Sequence, residues 1–214
     1  MRVLLYVLMS TLVLASPVAQ AQAQNHDQTT KALSDADPRL RREAASRLGE
    51  IGTMTDVALL ARALRDADED TRDKAQAAMW QIFGRSGDPD VDKLYQTGVR
   101  QMEAGDVTQS IATFTRVIER RPEFAEGWNK RATLYFMVGD LRKSLADCDE
   151  VIKRNPYHFG ALAGYAQIYI RLEYYERALD YSRRALAVNP NMDGVKRNLQ
   201  LLERLQEVRR RQMI

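Results

Sequence analysis

Catalysis and metal binding need titratable or nucleophilic side chains brought together, and this sequence offers few. It holds two histidines, His26 and His158, and one cysteine, Cys148. No Cys–His, His–His or His–Glu pair stands at the spacing of a metal site. The lone Cys148 closes no intrachain disulfide, reads as a small buried core residue and suits an oxidising compartment. Two acidic clusters remain: Asp35 with Asp37, and Asp66 with Asp68 and Asp70. They lack the glycine and the distant glutamate of a calcium loop. Helix capping explains them better, because an Asp before a helix accepts from its free N–H groups. There is no glycine-rich phosphate loop and no nucleophile elbow. No catalytic residue, metal or cofactor is therefore expected, and the work left for the chain is binding. An enzyme of unfamiliar type is the remaining alternative, marked by a pocket that converges several perturbed titratable groups.

Charge narrows the partner. The net charge is +3. Residues 25–90 carry ten basic and thirteen acidic side chains, 91–192 fifteen and thirteen, and the tail from Asp193 six and three. No segment makes the strong basic face of a nucleic-acid binder, so a nucleic-acid partner is not expected. The run Arg209, Arg210 and Arg211 suits the end of a helix, where cations complement the dipole.

The elements that must position a binding surface begin after an address. Arg2 precedes the apolar run VLLYVLMSTLVLA, Pro17 breaks it, and Ala19-Gln20-Ala21 and Ala21-Gln22-Ala23 offer small residues for a signal peptidase. This is the pattern of a secretory signal peptide over residues 1–23, cut after Ala21 or Ala23. The run is short for a membrane span. A periplasmic location is expected, with membrane attachment only if the segment stays uncleaved. Residues 24–27 read as a flexible leader.

Two tandem series of repeats follow. In the first, residues 28–84, Ala32 to Gly52 matches Ala63 to Phe83 at an offset of 31. Leu33 pairs with Leu64, Asp35 with Asp66, Arg41 with Arg72, Ala44 with Ala75 and Ile51 with Ile82. Each unit reads as helix, Asp-rich turn, helix. Asp37 is an apt N-cap and Pro38 an apt first residue. Leu40, Ala44, Leu48 and Ile51 recur at helical spacing. The pattern resembles short HEAT-like repeats of the kind named after phycobilisome lyases. Trp80 and Phe83 replace Gly49 and Gly52, so the end of this helix is expected to pack against the next domain. Residues 85–90 are a Gly/Pro linker.

In the second series, residues 91–192, Pro122, Pro156 and Pro190 lie 34 apart. Gly105-Asp106 recurs as Gly139-Asp140, and Ser110, Ser144 and Ala178 align. Units over 91–124, 125–158 and 159–192 resemble the tetratricopeptide repeat. Gly98, Ala132 and Ala166 let the two helices of each unit approach. Trp128 and Tyr135 fall at structural positions. Arg131 departs from the usual Leu, and Glu173 replaces the turn glycine, which points to an altered third turn. From Asp193 no repeat signature continues. Val195, Leu199, Leu202 and Leu205 form a stripe, so 193–214 reads as a capping helix with a basic tail, its Leu side buried. The expected fold is an all-α helical-repeat solenoid: two HEAT-like helix pairs, three tetratricopeptide repeats and a capping helix.

The resemblance implies where a partner binds. In the family, repeat positions 2, 5, 9, 12 and 13 of the first helices line a concave groove. The groove residues so implied are Tyr95, Val99, Met102, Asn129, Thr133, Phe136, Met137, Gln167, Ile170 and Arg171, to which Lys130, at a position the family uses to bind carboxylates, is added. Met102, Phe136 and Ile170 share position 12 and are all apolar; the alternative is that they pack against neighbouring units. The carboxylate clamp of chaperone-binding members is absent, because its positions hold Tyr95, Val99, Lys130, Gly160 and Gly164. The reading is a non-catalytic adaptor or assembly factor of the cell envelope that holds a segment of a protein partner. A membrane-tethered scaffold is the second reading.

Overall fold

A computed structural model of the protein describes residues 17–212. The apolar run at residues 3–15 lies outside the described residues. Within them the fold is an all-α solenoid of eleven α-helices with no strand. No helix among them is long and apolar enough to cross a membrane.

The first block comprises α1 (Pro17–Ala32), α2 (Pro38–Ile51), a 3₁₀ turn (Met54–Asp56), α3 (Val57–Ala63) and α4 (Glu69–Phe83). Residues 24–27, expected as a flexible leader, are helical within α1. Ala and Gln favour that state, and His26 Nε2 reaches the Asp56 carboxylate at 3.0 Å. The acidic clusters are structural. Asp37 caps α2 by accepting from Arg39 N at 2.9 Å, and Asp68 caps α4 by accepting from Thr71 N at 2.9 Å. Asp35 and Asp66 each accept from the N–H two residues on, at 2.8 and 2.9 Å. Arg41 forks onto Asp66 with two bonds of 2.7 Å and so ties one unit to the next. Leu48, Leu60, Leu64 and Met79 fill the core.

Leu40 corrects the sequence reading, for it is 43% exposed. The residues of α2 that are buried are Ala44, Ala45, Leu48 and Gly49. At 3.6 residues per turn, the centre of that stripe lies roughly 110° round the helix from Leu40.

The tetratricopeptide block pairs α5 (Pro89–Glu103) with α6 (Val107–Arg120), α7 (Ala125–Met137) with α8 (Leu141–Arg154), and α9 (Phe159–Arg171) with α10 (Tyr175–Val188). Pro89 and Asp90, expected in the linker, already belong to α5. Small residues set the spacing. A Cβ on Gly98 would stand 2.8 Å from the Phe114 ring. Ser110 Oγ donates to the Gly98 carbonyl at 2.9 Å, and Ser144 Oγ to the Ala132 carbonyl at 2.8 Å.

Both departures from the repeat pattern are accommodated. Arg131 forks onto Asp147 at 2.8 Å and donates to Thr115 Oγ1 at 3.0 Å, which joins α7 to α8 and α6. The third turn is not altered. Glu173 takes the left-handed conformation itself, φ 62°, beside 78° and 82° at Gly105 and Gly139. The turn bonds match: Asp106 N to Gln101 O, Asp140 N to Tyr135 O and Tyr174 N to Tyr169 O are each 2.9 Å.

Trp128 is a half-buried clasp, with Arg131 and Arg154 over its ring at 5.2 and 4.8 Å. Its Nε1 donates to the Pro122 carbonyl at 2.9 Å. Finally α11 (Asp193–Gln212) packs on α10. Its start lies 34 residues after Phe159, in phase as the first helix of a fourth unit.

The bulky end of α4 does meet the second block, at its far side. The Trp80 ring lies 4.9 Å from Phe159, and Phe83 stacks on His158 at 4.9 Å. Asn191 Nδ2 donates to the Leu64 carbonyl at 2.8 Å, and Arg65 donates to the carbonyls of Ala187 and Val188. The first block is thus fastened to the third repeat, as well as being linked in sequence to the first.

Candidate functional site

The first helices α5, α7 and α9 stand side by side. Asn129, Thr133 and Phe136 of α7 face Gly160, Gly164 and Gln167 of α9 across a narrow cleft. The cleft continues into a wider groove of 520 Å³, lined by Phe136, Gln167, Ile170 and Arg171 and walled on the other side by Asn198, Leu201, Leu202 and Leu205 of α11. Six expected residues therefore converge: Asn129, Thr133, Phe136, Gln167, Ile170 and Arg171. Arg171 Nη1 donates to the Phe136 carbonyl at 3.0 Å, and its guanidinium covers the Phe136 ring at 5.5 Å. The apolar floor is thus held beside a cation.

The other expected residues stand elsewhere. Tyr95 is core, packed edge-on against Phe114 and Phe124 at 5.8 and 5.4 Å. Val99 and Met102 lean on the same first-repeat core. The apolar column at position 12 is therefore split: all three lean on a core, but Phe136 and Ile170 also line the groove and Met102 does not. Lys130 is paired with Glu126 at 3.3 Å. Met137 is exposed beside the groove without lining it.

The sequence reading missed the second wall. Of the stripe expected to be buried, Leu202 is buried but Leu205 is 45% exposed, and Leu201, outside that stripe, is 57% exposed. Two apolar stripes share this helix: one seals the solenoid and the other faces the groove. The signal was the 34-residue phase. Counted from Asp193, Leu201 and Leu205 fall at positions 9 and 13, the numbers of Gln167 and Arg171 in the third unit.

A buried polar cluster lies between the groove and the first block. His158 and Glu126 are both buried, joined at 2.7 Å. His158 Nδ1 accepts from Ala161 N at 3.0 Å and so caps α9. Its proton therefore sits on Nε2 and is donated to Glu126. Burial would push the Glu126 carboxyl up, but His158, Lys130 and Asn129 more than offset it and hold the group below its ordinary value. Burial, and then the Glu126 carboxylate, push the Tyr95 hydroxyl well above its ordinary range. Burial likewise pushes the Cys148 thiol up to about 12, so it is held protonated. His158 and Glu126 bond each other inside the protein and line neither the cleft nor the groove, so the pair positions helices; Asn129 and Cys148 reach the edge of the cleft. No group of three or more His, Cys, Asp or Glu among the described residues is placed to hold a metal.

Family models match this architecture. One for HEAT repeats covers residues 18–92, and two for the tetratricopeptide repeat cover 95–158 and 160–192. The chain carries HEAT repeats followed by tetratricopeptide repeats. A TPR repeat-containing protein of Rhizobium etli is 31% identical over 129 residues, 57% of this chain. The chain spans 63% of that relative's length. Among solved structures it is similar to the Sgt2 TPR domain from Aspergillus fumigatus, with TM-score 0.54, 21% identity, 58% of this chain and 83% of that one. It is also similar to the first TPR of Spaghetti (RPAP3) bound to the HSP90 peptide SRMEEVD, with TM-score 0.53, 19% identity, 55% of this chain and 93% of that one. These likenesses show the tetratricopeptide fold.

Proposed function

We propose that this repeat protein is a non-catalytic adaptor or assembly factor of the cell envelope that binds a segment of a protein partner in the groove between α7, α9 and α11. The observation that carries it is the open groove. Phe136, Ile170, Leu201 and Leu205 form an apolar strip bordered by Gln167, Arg171 and Asn198. Soluble proteins seldom leave such a strip without a use. A concave site with an apolar floor and a few polar groups is built to receive a chain segment. The peptide held by the Spaghetti domain is a precedent for that mode in the same fold. Its chemistry does not transfer: the clamp positions here hold Tyr95 in the core, Gly160 under Trp80, and Lys130 paired with Glu126.

The periplasm is the proposed site of action, because the N-terminal sequence has the pattern of a cleavable signal. N-terminal sequencing of the protein from the cell envelope tests it. A start at Gln22 or Gln24 is expected, and an intact Met1 overturns it in favour of a tethered scaffold. The groove is tested by Phe136→Ala. The variant is expected to lose about 2 kcal/mol of affinity, as central aromatic contacts do, with little change in melting temperature. Unchanged affinity for a partner captured from envelope extract overturns the groove reading.

A further inference from the structure

We propose that the groove selects an acidic amphipathic segment of its protein partner, gripped between the third repeat and α11. The inference rests on the groove reading above and adds the chemistry of the occupant. Among the described residues no Asp or Glu lines the cleft or the groove, and Arg171 is the one charged lining group. The Arg171 guanidinium meets no carboxylate among the described residues; its bond goes to the Phe136 carbonyl. The second wall, α11, carries six basic and three acidic residues over Asp193–Gln212. Its groove-facing positions, Asn198, Leu201, Leu202 and Leu205, are neutral or apolar.

The site therefore has an apolar floor beside a cation that meets no carboxylate among the described residues, and its second wall is an apolar face of a helix of net positive charge. Carboxylates flanking an apolar stripe satisfy both, and a basic segment meets repulsion from both. The same count disfavours a second copy of this chain. Pairing two α11 helices across their exposed Leu201 and Leu205 would set two net charges of +3 side by side.

A phage-displayed library of random 16-residue segments, panned against the mature protein, tests this. Recovered sequences are expected to be enriched in Asp and Glu together with Leu, Ile and Phe. Synthetic copies should bind with affinity that falls as salt rises. The double variant Leu201→Ala/Leu205→Ala, both residues being exposed, should weaken them about tenfold. Panning against Arg171→Glu should return Lys and Arg in place of Asp and Glu. Arg116→Glu, the same charge change at an exposed residue of α6 away from the groove, should return the parental pattern. Arg171→Gln checks that loss of charge, and not a fold defect, is read.

Enrichment in Lys and Arg against the parent overturns the proposal. So does a parental pattern from Arg171→Glu, or a dimer in sedimentation that Leu201→Glu dissociates. If Phe136→Ala abolishes binding while Arg171→Glu changes nothing, the groove stands and the acidic occupant fails. Segments indifferent to Phe136→Ala, or no recovered segment at all, sink both readings.

Discussion

The first and third tetratricopeptide repeats share position 5 as core but place positions 9 and 12 in different surroundings. At position 5 the first repeat has Tyr95, whose ring fills the space between Phe114 and Phe124. The third has Ala163, buried in a small core with Leu162 and Ala185. Val99 and Met102 lean on their own unit's core; Ile170 leans on a core as well, yet with Gln167 it also borders an open groove. Position in the repeat fixes the direction in which a side chain leaves the helix. Whether that direction is wet is decided by the bulk of the side chain and by what stands opposite. Opposite α9 stands α11, far enough away to leave 520 Å³ between them.

The contrast is broken most severely at Tyr95. Tyr95→Ala is expected to cost about 3–5 kcal/mol, as for a buried aromatic in a core. Phe136→Ala, half-buried, should cost about 1 kcal/mol, close to the transfer of the apolar area that it hides. Urea denaturation of the two variants measures the difference, and equal losses would mean that both rings are core.

The next effect is at Gly98, where an added Cβ would strike Phe114 at 2.8 Å. Gly98→Ala should destabilise by about 2 kcal/mol through overpacking. Ala166 fills the same position in the third repeat, so a tolerated Gly98→Ala would make the two units equivalent after all.

Glu126 sharpens the comparison from the boundary between the halves. Its carboxyl sits below the ordinary value of 4.5. A depressed folded value stabilises the protein above the unfolded value, and that contribution is lost as pH falls from about 4.5 through the folded value. Glu126→Gln should cost about 1.5 kcal/mol at neutral pH, the worth of a charge-assisted bond, and should flatten the acid limb below pH 4.5. Thermal melts from pH 3 to 7 read both.

The smallest effect is a gain. Glu173 holds a left-handed turn that its sister units assign to glycine. Glu173→Gly should stabilise by about 0.5–1 kcal/mol: glycine removes roughly 1–2 kcal/mol of strain and returns part as unfolded-chain entropy. A melting temperature that falls would show that the Glu173 side chain contributes more than its backbone costs.

Much of this was legible in the residues because helical repeats are local objects. The 31-residue offset placed Asp37 and Asp68 as caps, and the 34-residue period placed α5, α7 and α9 with the small residues that let the helices close. Those features depend on neighbours a few residues away, and on one unit stacking upon the next. Arg131 and Glu173 read as departures, but what answered them did not. Asp147 lies 16 residues from Arg131, and the left-handed turn at Glu173 is sustained by bonds that its own repeat supplies.

The sequence by itself determined the repeat order and the capping chemistry, because each follows from periodicity and from short-range hydrogen bonding. Only the tertiary structure decided which faces stay wet. It set Trp80 and Phe83 against His158 and Phe159, about 80 residues away in the chain. It also left Leu201 and Leu205 open while Leu202 closed the solenoid. Three leucines within five residues are alike in composition. They differ because helical rotation aims each in its own direction, and because the solenoid supplies a neighbour in only one of those directions.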